Sequence, residues 1–293
     1  MINYFSKYDP ATLERLHQVQ LEILKDADAL CRKHGLNYFV SGGTAIGAIR
    51  HQGFIPWDDD IDICFPRADY EKFMQFAEQE MADKYDLLTP LNTAGYTLMF
   101  GRMSKKGTVF VADTDKQCTY KPGIFIDLFP YDKVPIDKKL RRKQIRKAWI
   151  WARLIVLRCY GNPTLPNTLT GWKRTLARIG CKLIHAGLVV CCVSKKWLYK
   201  RYCRNAEKYN KENTGLYTDL AYLYPERVLV YEKELYHTLD FPFEGLPVKV
   251  LSGYDRYLTC QYGDYMQLPP ENERRNHAPH QLKFGQHEPY AIG

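Results

Sequence analysis

The 293-residue sequence has no apolar run long enough to span a membrane. A spanning helix needs about 18 consecutive apolar residues, whereas the longest candidate, 183–193, has 11 residues and contains His185. Residues 1–10 also lack an apolar stretch of the signal-peptide type. We therefore expect a cytoplasmic protein, with any membrane contact being peripheral and on the inner face of the cytoplasmic membrane.

The cysteines show no pattern typical of a zinc site. The chain has nine Cys but no CxxC pair, and a protein of this length can bury a core without disulfides. We therefore expect reduced thiols, mostly buried. The composition, with 45% hydrophobic and 26% charged residues, excludes a disordered chain and a coiled coil.

Acidic residues are missing from one long segment, 138–204. It contains 18 Lys and Arg and no Asp or Glu, whereas the rest of the chain contains 24 basic and 33 acidic residues. The same segment holds four of the five tryptophans, Trp149, Trp151, Trp172 and Trp197. Basic charge also suits nucleic acid or a solvated helical face, but the added tryptophans favour an anionic membrane surface. We therefore expect 138–204 to be a basic helical insertion that docks on a membrane, with nucleic acid the less favoured partner.

Four carboxylates lie within five positions of the stretch Asp58-Asp59-Asp60-Ile61-Asp62. They repel one another, and the alternation with isoleucine predicts a strand in which Asp60 and Asp62 point to the same face. A divalent cation would offset the repulsion, and oxygen ligands favour Mg²⁺ or Mn²⁺. Asp127, a lone acid inside the apolar strand predicted at 124–129, supplies a third carboxylate. A solvated acidic loop is the alternative interpretation.

A glycine-containing turn precedes these acids, at Ser41-Gly42-Gly43-Thr44. Small residues between a strand and a helix let backbone N–H groups approach a phosphate. Arg50, at the end of the short helix that follows, is a candidate phosphate ligand. Arg102 is another, near the tip of a hairpin predicted around residues 105–107. For both arginines a solvated surface position is the alternative.

Three blocks of the sequence resemble the LicD family, which includes bacterial phosphocholine transferases and is related to fukutin and fukutin-related protein. The first, 43–63, reads GTAIGAIRHQGFIPWDDDIDI and carries the most specific resemblance. The second, 126–132, reads IDLFPYD, and the third, 262–270, reads YGDYMQLPP and is followed by Arg274 and His277. Segment 138–204 matches no motif of the family.

The resemblance implies an α/β (α+β) fold with a nucleotidyltransferase core of the polymerase-β kind. The core would comprise 1–137 and be completed by 205–293, with 138–204 as the basic helical insertion. The resemblance also implies transfer of a phosphorylated alcohol, phosphocholine above all, from a CDP-alcohol donor. The acceptor would be a sugar hydroxyl of a cell-surface glycan such as lipopolysaccharide or teichoic acid, in some cases lipid-linked.

The expected site residues follow from these blocks together with the chemistry of their side chains. The expected catalytic residues are Asp59, Asp60, Asp62 and Asp127, of which the last three are also the expected ligands of Mg²⁺ or Mn²⁺. The expected donor-phosphate ligands are Gly42, Gly43, Thr44, Arg50 and Arg102. Two other functions are compatible with the same residues. One is a nucleotidyltransferase that adds NMP to a small molecule or RNA, and the other is a non-catalytic membrane or nucleic-acid adaptor.

Overall fold

A seven-stranded mixed sheet forms the centre of the protein in a computed structural model that describes residues 8–112, 120–166, 168–274 and 276–292. The strands are β1 (Phe39–Val40), β2 (Asp62–Pro66), β3 (Tyr85–Leu88), β4 (Gly101–Lys105), β5 (Val109–Val111), β6 (Phe125–Lys133), β7 (Leu216–Thr218), β8 (Val230–Tyr231), β9 (Thr238–Phe243), β10 (Leu246–Leu251) and β11 (Gln281–Lys283). The helices are α1 (Pro10–His34), α2 (Gly42–Ile46), α3 (Arg67–Glu80), α4 (Lys138–Cys159), α5 (Gly171–Val190), α6 (Lys195–Ala206), α7 (Glu232–Leu235) and α8 (Tyr254–Tyr262). The expected α/β class is confirmed.

The sheet has the strand order β1-β2-β6-β4-β3, and β7 pairs with both β6 and β8. Its two central strands, β2 and β6, run parallel, whereas β4 is antiparallel to β6. Most side chains of the central strands are buried, as is typical of strands covered on both faces. Two further strand pairs, β9 with β10 and β5 with β11, lie outside this sheet.

Local sequence signals set both ends of the first helix. The Asp9 side chain accepts a hydrogen bond from the Thr12 backbone N–H at 3.1 Å, and Pro10 occupies the first turn. Gly35 ends the helix in the left-handed conformation, with φ of 61°. The inward face of α1 buries Leu16 and Ile23 in the main core.

Three details of the sheet differ from the sequence-based expectation. Strand β2 begins at Asp62, so Asp60, which was expected on the same strand, lies in the loop that precedes it. The predicted hairpin around residues 105–107 is wrong, because β4 pairs with β3 and β6 while β5 pairs with β11. The strand predicted to end at Pro130 continues to Lys133. Pro130 is tolerated there because β4 pairs with residues 125–128 and β7 with 132–133, so the proline lies in the gap between these partners.

The basic segment forms three helices, which pack in different ways. Helices α4 and α6 share a second apolar cluster with residues from outside the segment; its members include Val134, Ala148, Ile155, Leu198, Tyr202 and Leu216. In contrast, none of the 20 residues of α5, all of which the structure describes, is buried. The α4–α6 pair is therefore built into the protein, and α5 extends from it. The expected boundaries between the core and the basic insertion, at residues 137 and 204, stay a prediction.

Taken singly, no helix in the described part of the chain is long and apolar enough to cross a bilayer. Residues Gly171–Val190 and Lys195–Tyr209 reach that length and composition together, but they are bent by 107° relative to each other.

Candidate active site

Two of the expected catalytic acids lie side by side on the central strands. Asp62 on β2 is the register partner of Asp127 on β6, and Asp127 is in turn the partner of Arg102 on β4. Partners in register point to the same face of a sheet. The Arg102 Nε donates a hydrogen bond to the Asp127 Oδ1 at 2.8 Å. The three side chains therefore form a row across adjacent strands, with Arg102 partly neutralising Asp127.

A cleft of about 520 Å³ opens beside this row. Its acidic wall is formed by Asp58, Asp60 and Asp62, and these residues face the third sequence block across the cleft. Other lining residues include Gly43, Arg50, Trp57, Tyr262, Tyr265 and His277. The structure thus brings the first and third sequence blocks to one cavity, which combines acidic, cationic and aromatic groups. The second block does not line the cavity and adjoins it through Asp127, the register partner of Asp62.

Burial and mutual repulsion raise the pKa values of the acids in this wall. Burial, with the charges of Asp60 and Asp127, holds the pKa of Asp62 well above its ordinary value. Burial, together with the charges of Asp59 and Asp127, raises the pKa of Asp60 to about 6. Burial and the charge of Asp60 also raise the pKa of Asp58. A bound cation would relieve these costs, because it stabilises the charged carboxylates.

The donor set fits a magnesium ion that takes part of its coordination from substrate. Within the described residues, no three acidic, His or Cys side chains are placed to hold one ion by themselves, so the structure does not assemble the expected ligand set of Asp60, Asp62 and Asp127. Mg²⁺ usually binds one or two carboxylates and completes its octahedron with water and substrate phosphates. The oxygen-only pair of Asp60 and Asp62, beside Asp127, offers such a partial site.

Asp59 lies outside the cleft, although the sequence placed it among the catalytic residues. Its buried carboxylate accepts hydrogen bonds from the Tyr8 hydroxyl at 2.8 Å and from the His277 backbone N–H at 2.9 Å. The Asp59 backbone carbonyl accepts a third, from the Gln20 side chain. Asp59 therefore ties distant parts of the chain together and positions its neighbours Asp58 and Asp60.

The glycine turn approaches the carboxylates closely. A Cβ on Gly43 would lie 2.1 Å from the Asp58 Oδ2, and one on Gly42 would lie 3.0 Å from the Asp62 Oδ2. Gly42 also has a φ of 56°, which disfavours other residues. The Thr44 hydroxyl accepts a hydrogen bond from the Asp62 backbone N–H at 3.0 Å. These contacts give the turn a role in positioning the acids; its expected contact with phosphate stays a prediction.

The two expected arginine ligands occupy different environments. Arg50 lines the cleft, and its Nη1 donates hydrogen bonds to the backbone carbonyls of Tyr265 at 2.5 Å and Gln267 at 3.3 Å. Arg102 is buried, bonded to Asp127 and stacked on the Phe125 ring at 3.8 Å. Arg50 is therefore placed to meet an anion in the cleft, whereas Arg102 acts on the site through Asp127.

Three further residues near the carboxylates were not selected from the sequence as site residues. The His277 Nδ1 lies 3.4 Å from the Asp59 Oδ1 and 3.9 Å from the Asp60 Oδ2. Its hydrogen bond to Asp59 and the charge of Asp60 raise the pKa of His277 to about 9. Desolvation of its hydroxyl, followed by the charges of Tyr222 and Asp62, raises the pKa of the half-exposed Tyr262. Asp219 is an additional buried acid, and burial raises its pKa to about 7.

Membership of the third block was a signal for His277 and Tyr262. The sequence contains no comparable signal for Asp219, because this residue follows a short strand in a region without a recognisable motif. Asp132, the last residue of the second block, forms a buried ion pair with Arg67 at 2.7 Å, which indicates a structural role.

Comparisons with known proteins point to one family. A family model described as "LicD/FKTN/FKRP, nucleotidyltransferase domain" matches residues 35–153. The chain is 34% identical over 269 residues to the lipopolysaccharide cholinephosphotransferase LicD of Haemophilus influenzae, covering 91% of this chain and 96% of that protein. It is also 41% identical over 58 residues to an uncharacterized protein of Rickettsia typhi, covering 20% of this chain and 19% of that protein.

Proposed function

Because the chain belongs to the LicD family of phosphotransferases, we propose that it transfers phosphocholine from CDP-choline to a sugar hydroxyl of lipopolysaccharide or a related surface glycan. The near full-length similarity to a lipopolysaccharide cholinephosphotransferase supports the reaction class. The observation that carries the proposal is the pairing of Asp62 with Asp127 beside a cleft that also contains Arg50 and several aromatic rings. We further propose that the sheet is a nucleotidyltransferase-type core of the polymerase-β kind, as the description of the matching family model suggests.

The donor pyrophosphate would lie between the acidic wall and Arg50. Asp60 and Asp62, beside Asp127, would hold Mg²⁺ together with donor phosphate oxygens, and the ion would neutralise charge that develops on the phosphates. The Arg50 guanidinium, fixed by two backbone carbonyls, would bind a phosphate oxygen. Backbone N–H groups of the turn at Gly42 and Gly43 would contribute further hydrogen bonds.

The acceptor hydroxyl would attack the phosphorus that carries choline. A bond forms between that phosphorus and the acceptor oxygen, the bond to the bridging oxygen breaks, and CMP leaves. Asp58 lines the cleft and is the carboxylate we assign as acceptor of the hydroxyl proton. Asp59 and His277 hold this part of the chain in place.

The choline headgroup would contact aromatic faces in the same cleft. Trp57, Tyr262 and Tyr265 line it, and Asp264 adds a negative charge next to them. A quaternary ammonium is attracted to such faces because the ring quadrupole is negative there. One face of Trp57 is already covered by the Arg274 guanidinium, 4.7 Å from the ring centroid, which leaves the opposite face for a ligand.

Helix α5 would dock the enzyme on an anionic membrane surface, on the inner face of the cytoplasmic membrane, where a lipid-linked glycan is accessible. Its exposed residues Trp172, Leu176, Ile179 and Leu183 recur at intervals of three and four and form one stripe along the helix. Arg174, Arg178 and Lys182 lie on the other side. A helix with one apolar and one basic side is suited to lying in the headgroup region.

The direct test is a screen of activated donors in the presence of Mg²⁺ and lipopolysaccharide. We expect CMP release from CDP-choline to exceed release from CDP-ethanolamine and CDP-glycerol. Pyrophosphate release from a nucleoside triphosphate, with no CMP from any CDP-alcohol, would instead establish the nucleotidyltransferase alternative. Activity that persists in EDTA would contradict the metal assignment.

A further inference from the structure

A second cavity, of about 400 Å³, lies between α4 and the loop at residues 220–226. Three arginines of α4 line it, Arg142, Arg146 and Arg153, together with the exposed ring of Trp149. A cavity of this size is within the range of small-molecule binding sites. It is separate from the donor cleft described above, and none of its lining residues belongs to the three family blocks.

Buried contacts fix the rotation of α4 about its own axis. This rotation places the three arginines on the side of the helix that faces the loop at residues 220–226. The Arg141 Nη1 donates hydrogen bonds to the backbone carbonyls of Pro135 and Ile136 at 2.9 Å, and its Nε donates to Glu226 at 3.1 Å. One turn further, the Gln144 side chain donates to the Ala206 carbonyl at 3.0 Å. Arg142, Arg146, Trp149 and Arg153 follow at intervals of four, three and four residues, which aligns them on one helical stripe.

The charge of this stripe has little compensation nearby. Among the described residues, no acidic side chain forms an ion pair with Arg142, Arg146 or Arg153, and α4 itself contains no acid. Glu226, the acid that lines the cavity, is already bonded to Arg141. The planar guanidinium presents a fork of donors that matches the oxygens of phosphate. The cavity is therefore electrostatically complementary to a phosphorylated ligand.

The loop that lines this cavity contacts an element that lines the donor cleft. Its turn Pro225–Arg227, which contributes Pro225 and Glu226 to the cavity, contacts helix α8. The last residue of α8, Tyr262, lines the donor cleft. The cavity and the cleft are therefore neighbours across this contact.

We propose that this cavity binds a phosphate group of the acceptor glycan and so directs a neighbouring sugar hydroxyl toward the donor cleft. The inference rests on the proposed function for the identity of the acceptor. It adds that the enzyme recognises a phosphorylated glycan, with Arg142, Arg146 and Arg153 as specificity-determining residues.

The test compares two forms of one soluble probe, O-deacylated lipopolysaccharide before and after removal of its phosphates with hydrofluoric acid. Calorimetry without donor should show that the wild-type protein binds the phosphorylated form about tenfold more tightly, because the arginines can form charge-assisted hydrogen bonds with phosphate. The variant R142Q/R146Q/R153Q should bind both forms equally weakly. In turnover, this variant should raise the KM for the phosphorylated acceptor about tenfold and change kcat much less.

The matched control is K139Q/K143Q/K147Q, which removes the same charge from exposed positions of the same helix that do not line the cavity. Its affinity for the phosphorylated probe should stay within about threefold of wild type. Equal losses in the two variants would overturn the proposal, because general attraction to the basic segment would then explain the binding. An unchanged glycan affinity of the arginine variant, with lost sedimentation on phosphatidylglycerol vesicles, would assign the arginines to lipid and also overturn it. The binding measurement needs no turnover, so it remains interpretable even if CDP-choline proves not to be the donor.

Discussion

Asp62 and Asp127 are register partners on the two parallel central strands, so their carboxylates project side by side from one face of the sheet. Arg102 pairs with Asp127 on the far side, whereas Asp62 adjoins the acidic wall of the cleft. The fold thus holds two acids together at a position where burial and the neighbouring acids raise the pKa of Asp62. Such an arrangement is costly for stability alone and is suited to binding a cation with a phosphorylated substrate.

Neutralising either acid of this pair should abolish most of the activity. Asp62→Asn and Asp127→Asn should each lower kcat by about 10²-fold or more, comparable to removing one strong electrostatic stabiliser of a transition state. Asp86→Asn, at an exposed position of β3 in the same sheet, should leave kcat within about twofold of wild type. Near-wild-type turnover by both site variants, measured as CMP release, would show that the pair is not catalytic.

Magnesium affinity should increase with pH. Asp60 has a pKa raised to about 6, and Asp62 has a pKa raised by burial and its acidic neighbours. Below these values protons occupy the carboxylates and compete with the cation, and above them the charged forms are available. Titration calorimetry from pH 5 to pH 8 should therefore show a rising affinity and proton release on binding. An affinity independent of pH would mean that these acids are not the ligands.

A side chain at Gly43 should disturb catalysis through Asp58. Its Cβ would lie 2.1 Å from the Asp58 Oδ2, so the carboxylate must move. We expect Gly43→Ala to lower kcat by about tenfold, within the range seen when a catalytic group is misplaced, while the thermal midpoint stays close to wild type. Gly180→Ala is the matched control, since nothing lies within 4 Å of its added methyl group. If Gly43→Ala retains full kcat and donor KM, the close packing of the turn has no bearing on the reaction.

Binding to anionic vesicles should depend on the apolar stripe of α5. Each basic residue near an anionic surface contributes about 1 kcal/mol, and Trp172 and Leu183 are 72% and 67% exposed on the same helix. W172S/L183S should weaken sedimentation with phosphatidylglycerol vesicles, and added salt should weaken it further. Leu239→Ser, at an exposed apolar position of β9, should leave it unchanged. Equal partition of the wild-type protein onto neutral and anionic vesicles would contradict the docking role.

The acidic and glycine-containing blocks were predicted from the sequence because their patterns are local. Alternation of acids with isoleucine placed Asp62 on a strand, and a lone acid in an apolar run placed Asp127 on another. Local sequence patterns could not predict that these two strands pair with each other, or that Arg102 binds Asp127. A hairpin predicted around residues 105–107 was wrong, because long-range pairing of β5 with β11 outweighed proximity in the chain.

The roles of Asp59 and the tryptophans also depended on tertiary contacts. The three consecutive aspartates at 58–60 cannot be told apart by residue type, yet Asp58 and Asp60 face the cleft while Asp59 is bonded to Tyr8 and His277. Among the tryptophans, Trp172 is exposed, whereas Trp151 packs at right angles against Trp197 with centroids 6.0 Å apart. Composition favoured an interfacial segment, and the exposed apolar side chains of α5 are the reason why we propose that this helix presents it.

The most direct test of the central claim follows the phosphorus atom. CDP-choline labelled at the phosphorus that carries choline should be incubated with the enzyme, Mg²⁺ and lipopolysaccharide, and the label located in the separated products. The account predicts label in the glycan, unlabelled CMP in equal amount, and neither product with Asp62→Asn. Label recovered in the nucleotide, or CMP formed with no label in the glycan, would contradict attack by a sugar hydroxyl at that phosphorus.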